Sequence, residues 1–377
     1  MMTTKNSQHI KCPSCGKENT FKNSQLLDLS GALSCAVCNA SLLKHFDEPF
    51  LSMPADAFVH PLDRQMLLAM KKIPGIETVL KTLLRHSFEL SMRLYHQGNF
   101  VQVSPKQFKS LQTLAERAAN HLDLGFLPEI FVVPEARANA YTFGVEKCAV
   151  AISSGCLELL TKEELLAVLA HEFGHIKANH VLYKTATRIL SSLAENIAQK
   201  TLGLGGLMLY PIQIALLRWD RASELSSDRA ALLVVKNPQI VLNTLMKLAG
   251  GSANKKELNI DAFIKQAEDY EKTQDEGPLG KYIAVMNSMF RTHPFPIWRA
   301  REIIDWVKSG EYIKLLQGGF VIHKRLSTYC PSCGIEHSGK ELLCQKCQEK
   351  ASPKEEGEVL DQTIKNFQKW LKNNLGA

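Results

Sequence analysis

Apolar positions spaced three and four apart run through Leu62 to Tyr95 and through Pro105 to Leu122, a pattern that predicts helices. Glu129 to Val133, Ala140 to Phe143 and Cys148 to Ile152 are short and rich in β-forming residues, so they read as strands. Gly144 and the polar Glu146-Lys147 mark a hairpin turn between the last two. Thr161 opens a strong helix: Thr161 and Glu164 form a capping box ahead of Leu165, Leu166, Val168 and Leu169. A second long helix is predicted from Pro211 to Lys236, with proline in its first turn and Asn237-Pro238 as its stop. Gly250 to Gly277 is polar and reads as a loop with one helix near Ala262 to Tyr270, a candidate lid segment. Leu360, Ile364, Phe367 and Leu371 form an apolar stripe on a C-terminal helix, suited to docking on its own domain or on a second copy.

Composition narrows the class. The chain has 377 residues, 45% hydrophobic and 22% charged, an ordinary globular balance with room for a large core. Its net charge of +7 comes with scattered lysines, which read as a solvated face. Met1 to Lys11 is polar and lacks the apolar core of a secretory signal. The most apolar window, Leu202 to Leu217, is shorter than the roughly 20 residues a membrane span needs. A core helix or a peripheral membrane contact is expected there instead. Eight of the ten cysteines fall into CxxC units, which points to bound metal in a reducing compartment, so a cytoplasmic location is expected.

The chemistry centres on His171-Glu172-Phe173-Gly174-His175. Positions i and i+4 share a helix face, so both imidazoles can reach one metal ion while Glu172 serves as general base. In such a site zinc activates a water near neutral pH. The metzincin position for a third histidine is Val181, and on a continuous helix His180 would face away, as a surface or packing residue. Glu224 and Asp228 are also i and i+4, in an apolar setting that argues for burial. Glu224 can complete a two-histidine, one-glutamate set, and Asp228 can orient a ligating imidazole.

Asn139-Ala140-Tyr141-Thr142-Phe143-Gly144, the HExxH helix, the Glu224/Asp228 helix and Thr292-His293-Pro294 follow one another in the order found in the HtpX-like peptidases. The stretch from Leu62 to Gly310 therefore resembles that gluzincin family, which also holds the CAAX prenyl endopeptidases. The resemblance implies His171, His175 and Glu224 as catalytic zinc ligands and Glu172 as base and proton shuttle. It implies substrate binding along a sheet edge at Asn139 and Ala140, and oxyanion stabilisation by His293, with Arg299 a further residue for that region. Family members of this type carry several long apolar spans. This chain has none of that length, so a soluble branch is expected.

Two cysteine quartets flank this region: Cys12, Cys15, Cys35 and Cys38, then Cys330, Cys333, Cys344 and Cys347. Each predicts a four-sulfur structural zinc ribbon; a redox CxxC would stand singly beside a βαβ unit. Cys148 and Cys156 read as buried small residues.

The expectation is an α+β fold: a mostly helical, zincin-like peptidase domain with a small β-sheet over 51–325, a ribbon over 1–50, and a ribbon plus amphipathic helix over 326–377. It is a zinc-dependent endopeptidase using one catalytic and two structural zincs and acting on peptide or protein substrates. A protein partner on the ribbons is also expected; a nucleic acid is not, since aromatic and basic residues do not interleave. The competing reading is a zinc-ribbon protein-binding adaptor on a peptidase-like scaffold.

Overall fold

The computed structural model describes residues 7–29, 33–43, 49–50, 53–71, 89–144, 147–185, 187, 204–251, 257–274, 277, 293, 295–318, 328–329 and 336–337. An N-terminal hairpin, β1 (Ser7–Lys11) and β2 (Glu18–Lys22), leads into α1 (Asn23–Leu27). Then come α2 (Pro61–Lys71), α3 (Glu89–Asn99), β3 (Val101–Gln102), α4 (Lys109–His121), β4 (Glu129–Val133), β5 (Ala140–Phe143), β6 (Ala149–Ser153) and α5 (Ser154–Leu159). The helical second half runs through α6 (Lys162–Lys177), α7 (Leu204–Val235), α8 (Pro238–Gly250), α9 (Ile260–Gln274), α10 (Pro296–Lys308) and α11 (Glu311–Leu316). A last hairpin pairs β7 (Thr328–Tyr329) with β8 (Glu336–His337). The fold is α+β and mostly helical.

The central sheet has the order β3-β4-β6-β5. β4 and β6 are parallel, whereas β5 and β6 form an antiparallel hairpin, which leaves β5 on an edge. Gly144 makes the turn after β5 with φ 88; a Cβ there would stand 2.5 Å from the Lys147 carbonyl oxygen, so only glycine closes this hairpin. β6 is buried along its whole length, because helices cover it.

α6 is capped as its sequence predicts. The Glu164 N–H donates to Thr161 Oγ1 (3.4 Å) and the Thr161 N–H donates to Glu164 Oε2 (2.7 Å). Lys247 of α8 then meets the same buried carboxylate at 2.7 Å, so one glutamate caps one helix and anchors another.

Several predicted boundaries move. α4 begins at Lys109, since Phe108 takes a left-handed conformation (φ 55) that no helix continues through. The Leu62–Tyr95 stretch is helical over α2 and α3, and 72–88 lies outside the described residues. α7 starts at Leu204, so Pro211 sits inside it rather than in its first turn. A proline there removes one backbone hydrogen bond, a loss the remaining turns of a 32-residue helix outweigh. α9 extends past the predicted Ala262–Tyr270 at both ends. No described helix is long and apolar enough to cross a membrane. Cys330, Cys333, Cys344 and Cys347 and the C-terminal apolar stripe lie outside the described residues.

His180 is the main correction. The helix ends at Lys177, and Asn179 turns left-handed (φ 57), so His180 folds back under α6 instead of facing away from it. It is 1% exposed.

The N-terminal quartet is assembled. Cys12 Sγ lies 3.6 Å from Cys38 Sγ, and Cys15 Sγ lies 3.7 Å from Cys35 Sγ. Four sulfurs at about 2.3 Å from a zinc ion stand about 3.8 Å apart, so the quartet fits that metal. The Asn19 amide and the Val37 N–H point at Cys35 Sγ, the kind of donation that steadies a thiolate. Ile10, Leu26 and Leu42 share one core with Trp306, Val307 and Tyr312, and Gln8 Nε2 donates to the Val307 carbonyl at 2.7 Å. The ribbon is therefore built onto α10 and α11. Cys156 is buried and Cys148 half-buried; burial pushes their thiols up to about 11 and about 12, so both are inert fillers.

Gly174 lets α6 and α7 touch: a Cβ there would come within 2.7 Å of Ala230 Cβ and 3.2 Å of Ser227 Cα. Gly174→Val should destabilise the protein by about 3 kcal/mol, since two packed helices must part. Denaturant unfolding of the variant measures this.

Candidate active site

α6 presents His171 and His175 on the face that meets α7, the most extensive helix contact in the fold. Facing them from α7 is Glu224. Its Oε2 lies 3.3 Å from His171 Nε2 and its Oε1 lies 3.2 Å from His175 Nε2. Both Nε2 atoms are buried and make no hydrogen bond. Two imidazole nitrogens and a carboxylate aimed at one point match the donor set that zinc takes in two-histidine, one-glutamate sites. Ligand atoms of His171, His175, Glu224 and His293 all fall within 4.8 Å of one another.

Burial by itself would raise the Glu224 carboxyl. His293 and Lys184 beside it, with the two imidazoles, hold it well below the usual carboxylate range, so it is an anion at neutral pH. Lys184 Nζ reaches Glu224 Oε1 at 2.6 Å and Asp220 Oδ1 at 2.8 Å. Arg299 Nη1 lies 3.4 Å from Glu224 Oε2.

Asp228, one turn after Glu224, meets His171 Nδ1 at 3.0 Å. Arg299 grips Asp228 with two donors, Nε to Oδ2 at 2.7 Å and Nη2 to Oδ1 at 2.6 Å. Against the pull of burial, Arg299 and His171 keep Asp228 ionised. An ionised carboxylate only accepts, so His171 Nδ1 carries a proton. Burial pulls the His171 imidazole down, but Asp228 and Glu224 raise it to about 9, so a metal ion at Nε2 would take the place of a proton. Arg299 thus supports Asp228, where the resemblance placed it near the oxyanion.

Glu172 turns toward the sheet. Thr142 of β5 donates its hydroxyl to Glu172 Oε2 at 2.6 Å. Glu172 Oε1 lies 3.5 Å from His293 Nε2. His293 stands between the parts: Nδ1 lies 2.7 Å from Glu224 Oε2, and Nε2 lies 2.8 Å from the Ala140 carbonyl oxygen. A cavity of about 860 Å³ opens over these groups, lined by Asn139, Ala140, His171, Glu172, His293 and Arg299 along with apolar residues of α6, α8 and α9. At the sheet edge, the Asn139 N–H donates to Ser153 Oγ and the Asn139 carbonyl accepts from the Ser153 N–H, both at 2.9 Å. Those two groups are committed within the domain, as the Ala140 carbonyl is to His293.

Thr142, Lys184, His180 and Asp63 also belong to this assembly, and the sequence pattern did not single out Thr142, Lys184 or Asp63. His180 had a signal: Asn179 is a residue type that ends helices, and a helix end there redirects the next side chain.

A buried two-histidine, one-carboxylate cluster with an adjacent glutamate, open to a cleft, defines a metallopeptidase. Residues 105–307 match the model of Peptidase family M48, and the chain belongs to that family. It is 40% identical over 271 residues, 71% of this chain and 77% of the relative, to Plastoglobule-localized metallopeptidase 48, chloroplastic, of Arabidopsis thaliana. More distant relatives are Protease HtpX homologs of Desulfatibacillum aliphaticivorans (29% identity, 55% of this chain and 71% of the relative) and Ralstonia pickettii (24% identity, 60% and 82%). No solved structure matches the chain.

Arg299→Met leaves Asp228 buried without its guanidinium partner. The expected cost is about 3–5 kcal/mol, read as a lower denaturant midpoint.

Proposed function

We propose that this chain is a zinc-dependent endopeptidase in which His171, His175 and Glu224 hold the catalytic metal and Glu172 is the general base. The observation that supports this most directly is the pair of buried, unbonded Nε2 atoms on either side of the Glu224 carboxylate. When bound, zinc would polarise the scissile carbonyl and bring the pKa of a water to about 7.

The remaining steps belong to the chain's own residues. Glu172, with Oε2 held by Thr142, takes the proton of the attacking water on Oε1 and then passes it to the leaving amine nitrogen. His293 donates its Nε2–H to the oxyanion of the tetrahedral intermediate, which replaces the Ala140 carbonyl as acceptor. Glu224 receives His293 Nδ1 and so sets the ring's direction. The extended substrate lies along the outer side of edge strand β5 by strand addition, with Asn139 and Ala140 lining the cleft.

In the same reading, residues 51–325 form the peptidase unit, 1–50 the N-terminal ribbon with a structural zinc on Cys12, Cys15, Cys35 and Cys38, and 326–377 a second ribbon and helix. The N-terminal ribbon staples the domain by extending its core. Cytoplasmic residence belongs to this proposal too, on the strength of the paired cysteines.

Glu172→Gln keeps the shape of the base and removes its basicity. It should retain zinc and lose kcat by about 10²–10⁴-fold on a peptide library; full proteolysis by this variant would sink the assignment. His293→Ala should lower kcat by about 10²–10³-fold with little change in KM, the signature of a contact made in the transition state.

A further inference from the structure

His175 approaches the metal position with nothing on its own helix to orient it. Its Nδ1 instead lies 3.0 Å from Nδ1 of His180, and His180 Nε2 lies 2.9 Å from Asp63 Oδ2. Asp63 sits on α2, far earlier in the chain, and is fully buried. It accepts Trp219 Nε1–H at 2.9 Å and the Ser226 hydroxyl at 2.5 Å, both from α7. The Ser226 oxygen in turn accepts the His60 N–H at 2.9 Å. Burial works against the Asp63 charge, yet His180, Ser226 and Trp219 together keep the carboxyl below its ordinary range.

Hydrogen-bond counting along this line has one solution for a neutral His180. Asp63 is ionised and can only accept, so His180 Nε2 carries the proton. His180 Nδ1 is then a lone pair and must accept. His175 Nδ1 therefore donates, which leaves His175 Nε2 as a lone pair directed at Glu224 and the metal position. Asp228 holds the Nδ1 of His171 in one step.

We propose that His180 and Asp63 are positioning residues that fix His175 in its metal-ligating tautomer through a carboxylate–imidazole–imidazole relay from α2. The proposal rests on the reading of His175 as a zinc ligand. It explains why His180 and Asp63 are buried beneath α6. It also gives α2 a part in the site although none of its described side chains lines the cleft.

The test is zinc affinity of the full-length protein, titrated against a colorimetric chelator at fixed pH, with His171→Ala defining the zinc that belongs to this site. His180→Leu removes both relay atoms. His180→Gln restores an acceptor and a donor at nearly the same separation as the two ring nitrogens. His180→Leu should weaken zinc at this site by about 10–100-fold, and His180→Gln should recover most of the loss. Near-UV circular dichroism from Trp219 checks that both variants are folded. Should His180→Leu not fold, Asp63→Asn takes its place: an amide donor facing His180 reverses the relay and weakens zinc to a similar degree. Wild-type affinity in a folded His180→Leu or Asp63→Asn, or equal losses in the Leu and Gln variants, would overturn the relay. Equal zinc in wild type and His171→Ala would overturn the metal reading itself, which keeps the two failures apart.

Discussion

One buried carboxylate organises the protein. Glu224 is 1% exposed and charged, and an isolated charge at that depth would cost several kcal/mol. The fold meets this by bringing partners from four places: His171 and His175 from α6, Lys184 from the helical stretch 181–185 beyond it, His293 from ahead of α10, and Arg299 from α10. Each partner is itself buried or half-buried and needs its own neighbours. Satisfying one anion thus ties the helices of the second half to one another.

The close approach of α6 and α7 makes that convergence possible. Gly174 lies between His171 and His175 and allows near contact with Ala230 and Ser227, so the HExxH helix and the carboxylate helix meet closely. On the far side the sheet supplies the rest, with Thr142 on edge strand β5 holding Glu172. The polar layer is cross-linked: Asp228 with Arg299, Glu224 with Lys184, Asp63 with Trp219 and Ser226. Networks of this kind rigidify a site because every group has a fixed direction. Catalysis that depends on orientation at the level of an ångström requires such support.

The ribbon at the N-terminus is part of this economy. Its hairpin is too small to bury a core of its own, and its apolar residues are spent on α10, the helix that carries Arg299. A metal in the Cys12–Cys38 quartet would therefore bear on the support of the active site as well as on the ribbon.

Local patterns carried far in this chain. The strands of the hairpin, the capping box at Thr161 and Glu164, the i, i+4 pairs on α6 and α7, and the cysteine quartet at 12–38 are all written within a few residues, because capping, helical periodicity and CxxC spacing are short-range constraints. The sequence by itself determined the helix faces on which His171, His175, Glu224 and Asp228 lie. Only the tertiary structure decided which way His180 points, since that turned on a left-handed residue at Asn179. It alone decided that Lys184, Thr142 and Asp63 belong to the site, and that Arg299 holds Asp228. A buried charge is neutralised by whatever the fold brings within about 3 Å, and that proximity is not encoded by spacing along the chain.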